Sequence, residues 1–358
     1  MPLTQVDQGL LGQYAQYTGF KNRIINGAMV IDQRNAGASV TPGVTGAYAV
    51  DRWFSNEDTD GVITVEQVED APAGFYQSAK VTVTTADASL GASQNSQFRQ
   101  AIEGNNVVDL NWGSANAAAV TLSFWVKSSL TGTFGGSLRN ATPDRSYIFQ
   151  YTIFAANTWE QKTVTITGDT SGTWGAGTGV GIYITFDLGS GTDRNGTANQ
   201  WQAGSLLRTS SNISIISTLN ATWQVTGVQL EKGSTATSFD YRPYGTELML
   251  CQRYAFDVNG SNGIYGAGSG TTNVTTRFVF PVQMRAGPTV SISSAGSALY
   301  SDDFAANVTA TTSTYTMGDS TTTNCRMTVG GFTGVTNGRA YGGISGAGTA
   351  RITFSAEL

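Results

Sequence analysis

Paired carboxylates are the first residues in this sequence that could do chemistry, because two of them on either side of a sugar can cleave a glycosidic bond. The chain has two adjacent pairs, Glu69–Asp70 and Asp302–Asp303. Adjacent residues in a strand point to opposite faces of the sheet, so neither pair can flank one bond. The alternative is a catalytic pair of carboxylates contributed by two distant segments of the chain. From these residues we expect a protein that is not an enzyme.

The other common catalytic side chains are scarce. The 358 residues include no histidine, which removes the commonest general base and the imidazole metal ligands. Only two cysteines occur, Cys251 and Cys325, which excludes a disulfide framework and a four-cysteine zinc site. We therefore expect no catalytic residues and no organic cofactor.

Acidic and amide side chains cluster at residues 56–60, where Asp58 and Asp60 are the best candidates for metal ligands. Calcium takes six to eight oxygen ligands from carboxylates, carbonyls and water. The spacing does not match an EF-hand loop, so a solvated turn is the alternative to a structural calcium site.

Aromatic residues in glycine-rich segments are candidates for sugar binding, because a flat ring matches the apolar face of a pyranose. Trp174 and Trp201 lie in such loops, and Tyr265 and Tyr300 occupy similar positions later in the chain. The alternative for each ring is packing within the protein or against another subunit.

The elements that would position these residues are β-strands. Apolar residues recur at every second position in several segments. One segment has Val120, Leu122, Phe124 and Val126, and another has Val180, Ile182, Ile184, Phe186 and Leu188. Forty-four glycines and only seven prolines suit short strands joined by tight turns. The pattern predicts an all-β chain with a jelly-roll β-sandwich over residues 48–244.

A short connector helix is predicted at residues 245–257, with Thr246 as its N-cap. Residues 258–358 return to a strand pattern and predict a sandwich-like C-terminal β-domain, the expected distal end. Its final segment places Ile352, Phe354, Ala356 and Leu358 on one face, which predicts a C-terminus paired into a sheet. This domain has few large apolar residues and would gain from oligomerising.

Residues 1–47 are assigned to an N-terminal attachment segment. Leu10, Leu11, Tyr14 and Tyr17 could form one face of a short helix that docks on another protein, and a frayed terminus is the alternative. No secretory signal or long apolar run is present, so we expect no membrane insertion. The net charge of −5 argues against a nucleic-acid partner.

Three stretches resemble modules of bacteriophage tail fibres and related virion structural proteins. They are NRIINGAMVIDQRNAG at 22–37 followed by YAVDRW at 48–53, GVQLEKGSTATSFDYRPYGTELMLCQRY at 227–254, and FPVQMRAGPTV at 280–290. The resemblance makes Trp53 a core residue and Arg242 and Glu231 ion-pair partners between domains.

The resemblance implies a homotrimeric tail fibre or spike, made in the host cytoplasm and located on the phage tail in the virion. Its N-terminus would attach to a tail, adaptor or baseplate protein, and its distal end would contact a host surface glycan or outer-membrane receptor. A capsid or baseplate decoration protein of the same architecture is the first alternative. A glycan-cleaving tail spike is the second.

Overall fold

The computed structural model describes residues 20–259, 265–293, 299–302, 306–342 and 351–358. The predicted attachment residues Leu10, Leu11, Tyr14 and Tyr17 lie outside the described residues. The chain divides into two compact units, with the division between Glu247 and Leu248.

Twelve strands make up the described part of the first unit, and four single-turn 3-10 helices interrupt its loops. The strands are β1 Ala47–Val50, β2 Trp53–Asp58, β3 Val62–Val68, β4 Ser78–Thr85, β5 Asn95–Glu103, β6 Val120–Ser128, β7 Gly132–Arg139, β8 Arg145–Ile153, β9 Glu160–Ile166, β10 Val180–Ser190, β11 Trp201–Ala203 and β12 Thr222–Lys232. The 3-10 helices are Gly104–Asn106, Val108–Leu110, Thr192–Arg194 and Ile215–Ser217.

These strands form two antiparallel sheets. One has seven strands in the order β1-β2-β5-β10-β7-β8-β11, and the other has five in the order β3-β4-β12-β6-β9. The core between them includes Trp53, Phe98, Phe124, Phe186 and Trp223, each fully buried. Burying a large apolar side chain stabilises a fold by about 1.5–3 kcal/mol, so the aromatic core is a main contributor here. The predicted all-β, jelly-roll architecture and the core position of Trp53 are confirmed.

Residues 20–46, which the sequence analysis assigned to a separate attachment segment, pack into this first unit. Ile24 and Met29 are fully buried in the same core as the strands. The Nδ2 of Asn22 donates a hydrogen bond of 3.0 Å to the carbonyl of Val228 in β12. The segment shows no regular alternation of apolar and polar residues, because it consists mainly of turns and not of a strand.

The α-helix of the described residues, α1, spans Tyr244–Gln252. It begins one residue before the predicted start, and Thr246 lies inside its first turn with its N–H bonded to the carbonyl of Pro243 at 2.9 Å. Residues 255–257, predicted as helix, instead belong to strand β13, because Ala255–Asn259 pairs with the last strand of the chain. Among the described residues, no helix is long and apolar enough to cross a membrane.

The described part of the second unit contains nine strands in two groups. The strands are β13 Ala255–Asn259, β14 Tyr265–Ser269, β15 Asn273–Val279, β16 Thr289–Ser293, β17 Leu299–Asp302, β18 Ala306–Gly318, β19 Asn324–Phe332, β20 Ala340–Gly342 and β21 Arg351–Ser355. Strands β13, β21 and β16 form a small sheet, and the other six close into a barrel in the order β14-β15-β19-β18-β17-β20.

The end of the chain is tied into the small sheet, as the alternation predicts. Strand β21 pairs with β13 on one side and β16 on the other. Ile352, Phe354 and Ala356 are all buried.

Candidate functional site

The outer face of the seven-stranded sheet carries an unusual row of side chains. Along β2, β5 and β10 the apolar residues face the core, so the residues between them face outward. The register places Phe54 opposite Arg99 and Tyr183 opposite Arg139. Strand β10 lies between β5 and β7. Tyr183 on β10 therefore lies between Arg99 on β5 and Arg139 on β7.

Rings and guanidinium groups alternate along this row. The Tyr48 and Phe54 rings meet edge to face with centroids 5.2 Å apart. The guanidinium carbon of Arg99 lies 4.8 Å from the Phe54 centroid and 4.9 Å from that of Tyr183. That of Arg139 lies 5.8 Å from the Tyr183 centroid. Stacking of this kind holds an arginine in one orientation while its N–H groups remain available.

A groove of about 310 Å³ opens above this row. Such a volume is at the lower end of the range typical of small-molecule sites, roughly 300–1,000 Å³. Its wall is completed by the loop that follows β10 and by a residue before β1. The lining residues are Val44, Phe54, Asn56, Asn95, Gln97, Arg99, Arg139, Arg194, Ser205 and Leu207.

Arg139 lies at the base of the groove and is only 5% exposed. Its terminal nitrogens donate to Ser205 Oγ at 3.0 Å, Thr185 Oγ1 at 3.1 Å and Gln97 Oε1 at 3.3 Å. All three acceptors are neutral. Burial, followed by the positive charges of Arg99 and Arg194, lowers the pKa of Arg139 to about 9. The guanidinium still carries its charge at neutral pH, and its own surroundings compensate that charge poorly.

Several polar atoms of the groove residues have no hydrogen-bond partner within the described protein. They are the Nε atoms of Arg139 and Arg194 and the side-chain oxygen of Asn56. Buried polar groups are normally paired, so the polar side chains around the groove are incompletely satisfied by the protein itself.

One carboxylate on the same sheet face, that of Asp187, forms an ion pair with Arg208. Asp187 Oδ2 lies 3.4 Å from Arg208 Nη1, and both side chains are almost fully buried. Burial raises the pKa of Asp187 to about 6, against the attraction of Arg208. This pair neutralises Arg208, whereas the hydrogen bonds of Arg139 go to the neutral side chains of Ser205, Thr185 and Gln97.

The predicted sugar-binding residues Trp174 and Trp201 meet Trp112 in a three-ring cluster. The ring centroids are 4.6 Å apart for Trp112 and Trp174 and 5.2 Å apart for the other two pairs. The indole N–H of Trp112 donates to the carbonyl of Ala118. That of Trp174 donates to the carbonyl of Ser171, and that of Trp201 to the carbonyl of Thr167. The rings are half-buried, and their N–H groups are already used.

The other two predicted aromatic residues lie in the second unit. Tyr265 is 78% exposed at the start of β14. Tyr300 lies in β17. The residues that line the groove belong to the first unit.

The predicted metal ligands Asp58 and Asp60 lie at the end of β2 and in the turn after it. The N–H of Asp60 donates to Asp87 Oδ2 at 3.2 Å. Within the described ranges, no group of three or more acidic or cysteine side chains has the arrangement of a metal site. The two aspartates do not form part of such a group.

The groove residues were not among the sequence-based candidates. The signal available in the sequence was NSQFRQ at 95–100, where Asn95, Gln97 and Arg99 alternate with smaller or apolar residues. Polar residues at alternate positions are also typical of an ordinary solvent-facing strand, so this pattern alone does not single out a site. The approach of Arg99 to Arg139 depends on strand order, which the alternation does not reveal.

Comparisons with known proteins concern the fold. No protein-family model and no curated protein matches the sequence. Among solved structures, similarity is found to the enzymatically active domain of tailspike protein 4 of bacteriophage CBA120, with 15% identity and a TM-score of 0.34. That match covers 59% of this chain and 21% of the tailspike chain.

Two sugar-binding proteins are also similar. A putative sugar-binding protein from Bacteroides thetaiotaomicron has 13% identity and a TM-score of 0.34, over 59% of this chain and 100% of its own. A family 4 carbohydrate-binding module has 19% identity and a TM-score of 0.30, over 58% of this chain and 97% of its own. With these identities and TM-scores, the matches carry no argument about the ligand or the activity of this chain.

Proposed function

We propose that this chain is a non-catalytic structural protein of a phage virion, a trimeric tail fibre or spike, and that its jelly-roll unit binds a host surface glycan. The observation that carries the binding role is the groove on the outer face of the seven-stranded sheet. The proposed place on the virion rests on the three stretches of sequence that resemble tail-fibre modules.

The groove has the groups that sugar recognition needs. Phe54 offers an aromatic ring beside amide side chains from Asn56, Asn95 and Gln97. Rings pack against the C–H face of a pyranose, and amides both donate to and accept from its hydroxyl groups. Most of the residues that line the groove lie on the paired strands β2, β5 and β7, so much of its geometry is held before a ligand arrives.

Glycan binding is tested by titrating host surface polysaccharides into the full chain and comparing two alanine variants. Phe54→Ala removes the ring in the groove, and Tyr265→Ala removes an exposed ring in the second unit. We expect Phe54→Ala to weaken binding about tenfold, as loss of one stacked aromatic contact of about 1.4 kcal/mol would do. Equal binding by Phe54→Ala and weaker binding by Tyr265→Ala would move the site to the second unit.

The role in the virion is tested by location and assembly. Immunogold labelling or cryo-electron microscopy of the phage should place the chain on the tail, whereas labelling of the head would favour a capsid decoration protein. Analytical ultracentrifugation should give three times the chain mass. Release of new reducing ends from a bound polysaccharide would replace the non-catalytic role with that of a glycan-cleaving spike.

A further inference from the structure

We propose that the groove selects an acidic glycan, with a sugar carboxylate or sulfate group held by Arg99 and Arg194 above Arg139. This inference rests on the proposed glycan-binding function and adds the charge of the ligand to it. The shared chemistry is an anionic substituent on a sugar ring.

The charge of the groove is the first argument. Three arginines line it, and among the described lining residues there is no aspartate or glutamate. The chain as a whole has a net charge of −5, so this concentration of positive charge runs against the composition. A concave site of one sign attracts ligands of the opposite sign.

The burial of Arg139 is the second argument. Removing a guanidinium from water is costly unless an opposite charge compensates it, and buried arginines are therefore usually paired. The three groups that accept hydrogen bonds from Arg139 are a serine, a threonine and a glutamine side chain. An anion in the groove above would supply the missing negative charge.

The availability of Arg99 is the third argument. Its guanidinium is held between the Phe54 and Tyr183 rings. No hydrogen bond or ion pair joins it to another residue of the described ranges, although it is only partly exposed. An arginine that is oriented by stacking and keeps its donors can bind a carboxylate or sulfate through two parallel hydrogen bonds.

The remaining groups favour a sugar that carries the anion over a bare inorganic ion. The amide side chains of Asn56, Asn95 and Gln97 line the groove and can exchange hydrogen bonds with sugar hydroxyl groups. The Phe54 ring can cover the C–H face of a pyranose. A free phosphate or sulfate ion would use neither.

The test compares each acidic polymer with an uncharged polymer of similar backbone. Polygalacturonate and its fully methyl-esterified form share one backbone, and carrageenan and agarose provide a sulfated and an uncharged galactan. Binding to the full chain is measured by isothermal titration calorimetry at low and moderate salt. We expect an acidic polymer to bind at least tenfold more tightly than its uncharged counterpart, with affinity that falls as salt rises.

The matched variants are Arg99→Gln and Arg194→Gln in the groove and Arg277→Gln on the exposed face of β15. We expect each groove variant to lower the affinity for the acidic polymer about tenfold or more, and Arg277→Gln to leave it unchanged. Thermal unfolding of each variant shows whether the fold is retained.

The outcomes separate the two proposals. Equal binding of acidic and uncharged polymers, weakened by Phe54→Ala, would overturn the charge selectivity and keep the glycan-binding function. Equal losses in all three arginine variants would indicate general attraction and overturn the assignment to the groove. Binding of none of the four polymers, together with failure of host polysaccharides to bind, would overturn both.

Discussion

Arg242 and Glu247 form an ion pair of 3.2 Å at the start of the helix, and both reach back to the beginning of the described chain. Arg242 donates to the carbonyls of Asn22 and Ile24. Glu247 accepts from the backbone N–H of Asn26. Residues 22–26 and the start of α1 therefore meet in space, although they are about 220 residues apart in sequence. Arg242 pairs with Glu247 and not with Glu231, whose carboxylate instead accepts from Thr237.

Substitution Arg242→Met tests how much this pair stabilises the first unit. The Arg242 side chain is 3% exposed and that of Glu247 is 11% exposed. Removing one partner leaves a poorly solvated charge, so we expect the free energy of unfolding to fall by about 3–5 kcal/mol in urea titrations. Lys80→Met is the control, because the Lys80–Glu66 pair is about one-third exposed on both sides and should contribute less than about 1 kcal/mol. A loss of similar size in both variants would contradict the special role of Arg242.

Gly27 tests the close packing of the same segment against β12. A Cβ atom on Gly27 would lie 2.1 Å from the carbonyl oxygen of Val228, which is backbone and cannot rotate away. We expect Gly27→Ala to destabilise the protein by about 1–3 kcal/mol or more, as overpacking does. Gly245 in α1 has no atom within 4 Å of such a Cβ, so Gly245→Ala should be stabilising by about 0.5–1 kcal/mol. Calorimetric melting of the two variants should therefore show shifts of opposite sign.

The strands could be predicted from the sequence because the alternation of residue types alone determines which side chains face the core. Val120, Leu122, Phe124 and Val126 share one face in the sequence, and all four are fully buried in the structure. The end of the chain follows the same rule. Local patterns of this kind depend only on the pleat of the strand.

The roles of residues 20–46 and of the groove could not be predicted, because both depend on contacts between distant segments. Asn22 donates to Val228, 206 residues away, and no local pattern indicates this. Arg99 and Arg139 approach each other only because β10 lies between β5 and β7 in the sheet. Tryptophans in glycine-rich segments indicate sugar binding, and the sequence therefore predicts a site at Trp174 and Trp201. The outward-facing arginines, in contrast, have the pattern of ordinary surface residues.

Trp201→Ala distinguishes packing from binding in the tryptophan cluster. Its ring contacts Trp112, Trp174 and Tyr147, and its N–H donates to the carbonyl of Thr167 at 2.7 Å. We expect a loss of stability of about 2 kcal/mol, since truncation removes the contacts of the ring with three aromatic neighbours. Glycan affinity, measured at a temperature where the variant is folded, should match that of the wild type. A stable variant that has lost glycan binding would return the site to these rings.

Glu57 gives the first unit a pH-dependent stability whose sign is fixed by its surroundings. The side chain is buried, Oε1 accepts from Thr59, and Oε2 has no hydrogen-bond partner in the described protein. Burial raises the pKa of Glu57 above its ordinary value of 4.5, and the nearby charge of Asp87 adds to this. The folded state therefore binds a proton more tightly than the unfolded chain does. The contribution of Glu57 is most favourable below pH 4.5 and is lost as the pH rises through the folded-state pKa.

The substitution Glu57→Gln removes this titration while keeping an oxygen for Thr59. We expect the variant to be more stable than the wild type at pH 7, with a difference that shrinks as the pH is lowered toward 4.5. Urea unfolding at several pH values in this range measures both quantities, and other carboxyl groups cancel because they are common to the two proteins. A difference that stays constant with pH would show that Glu57 titrates at the same pH in the folded and unfolded states.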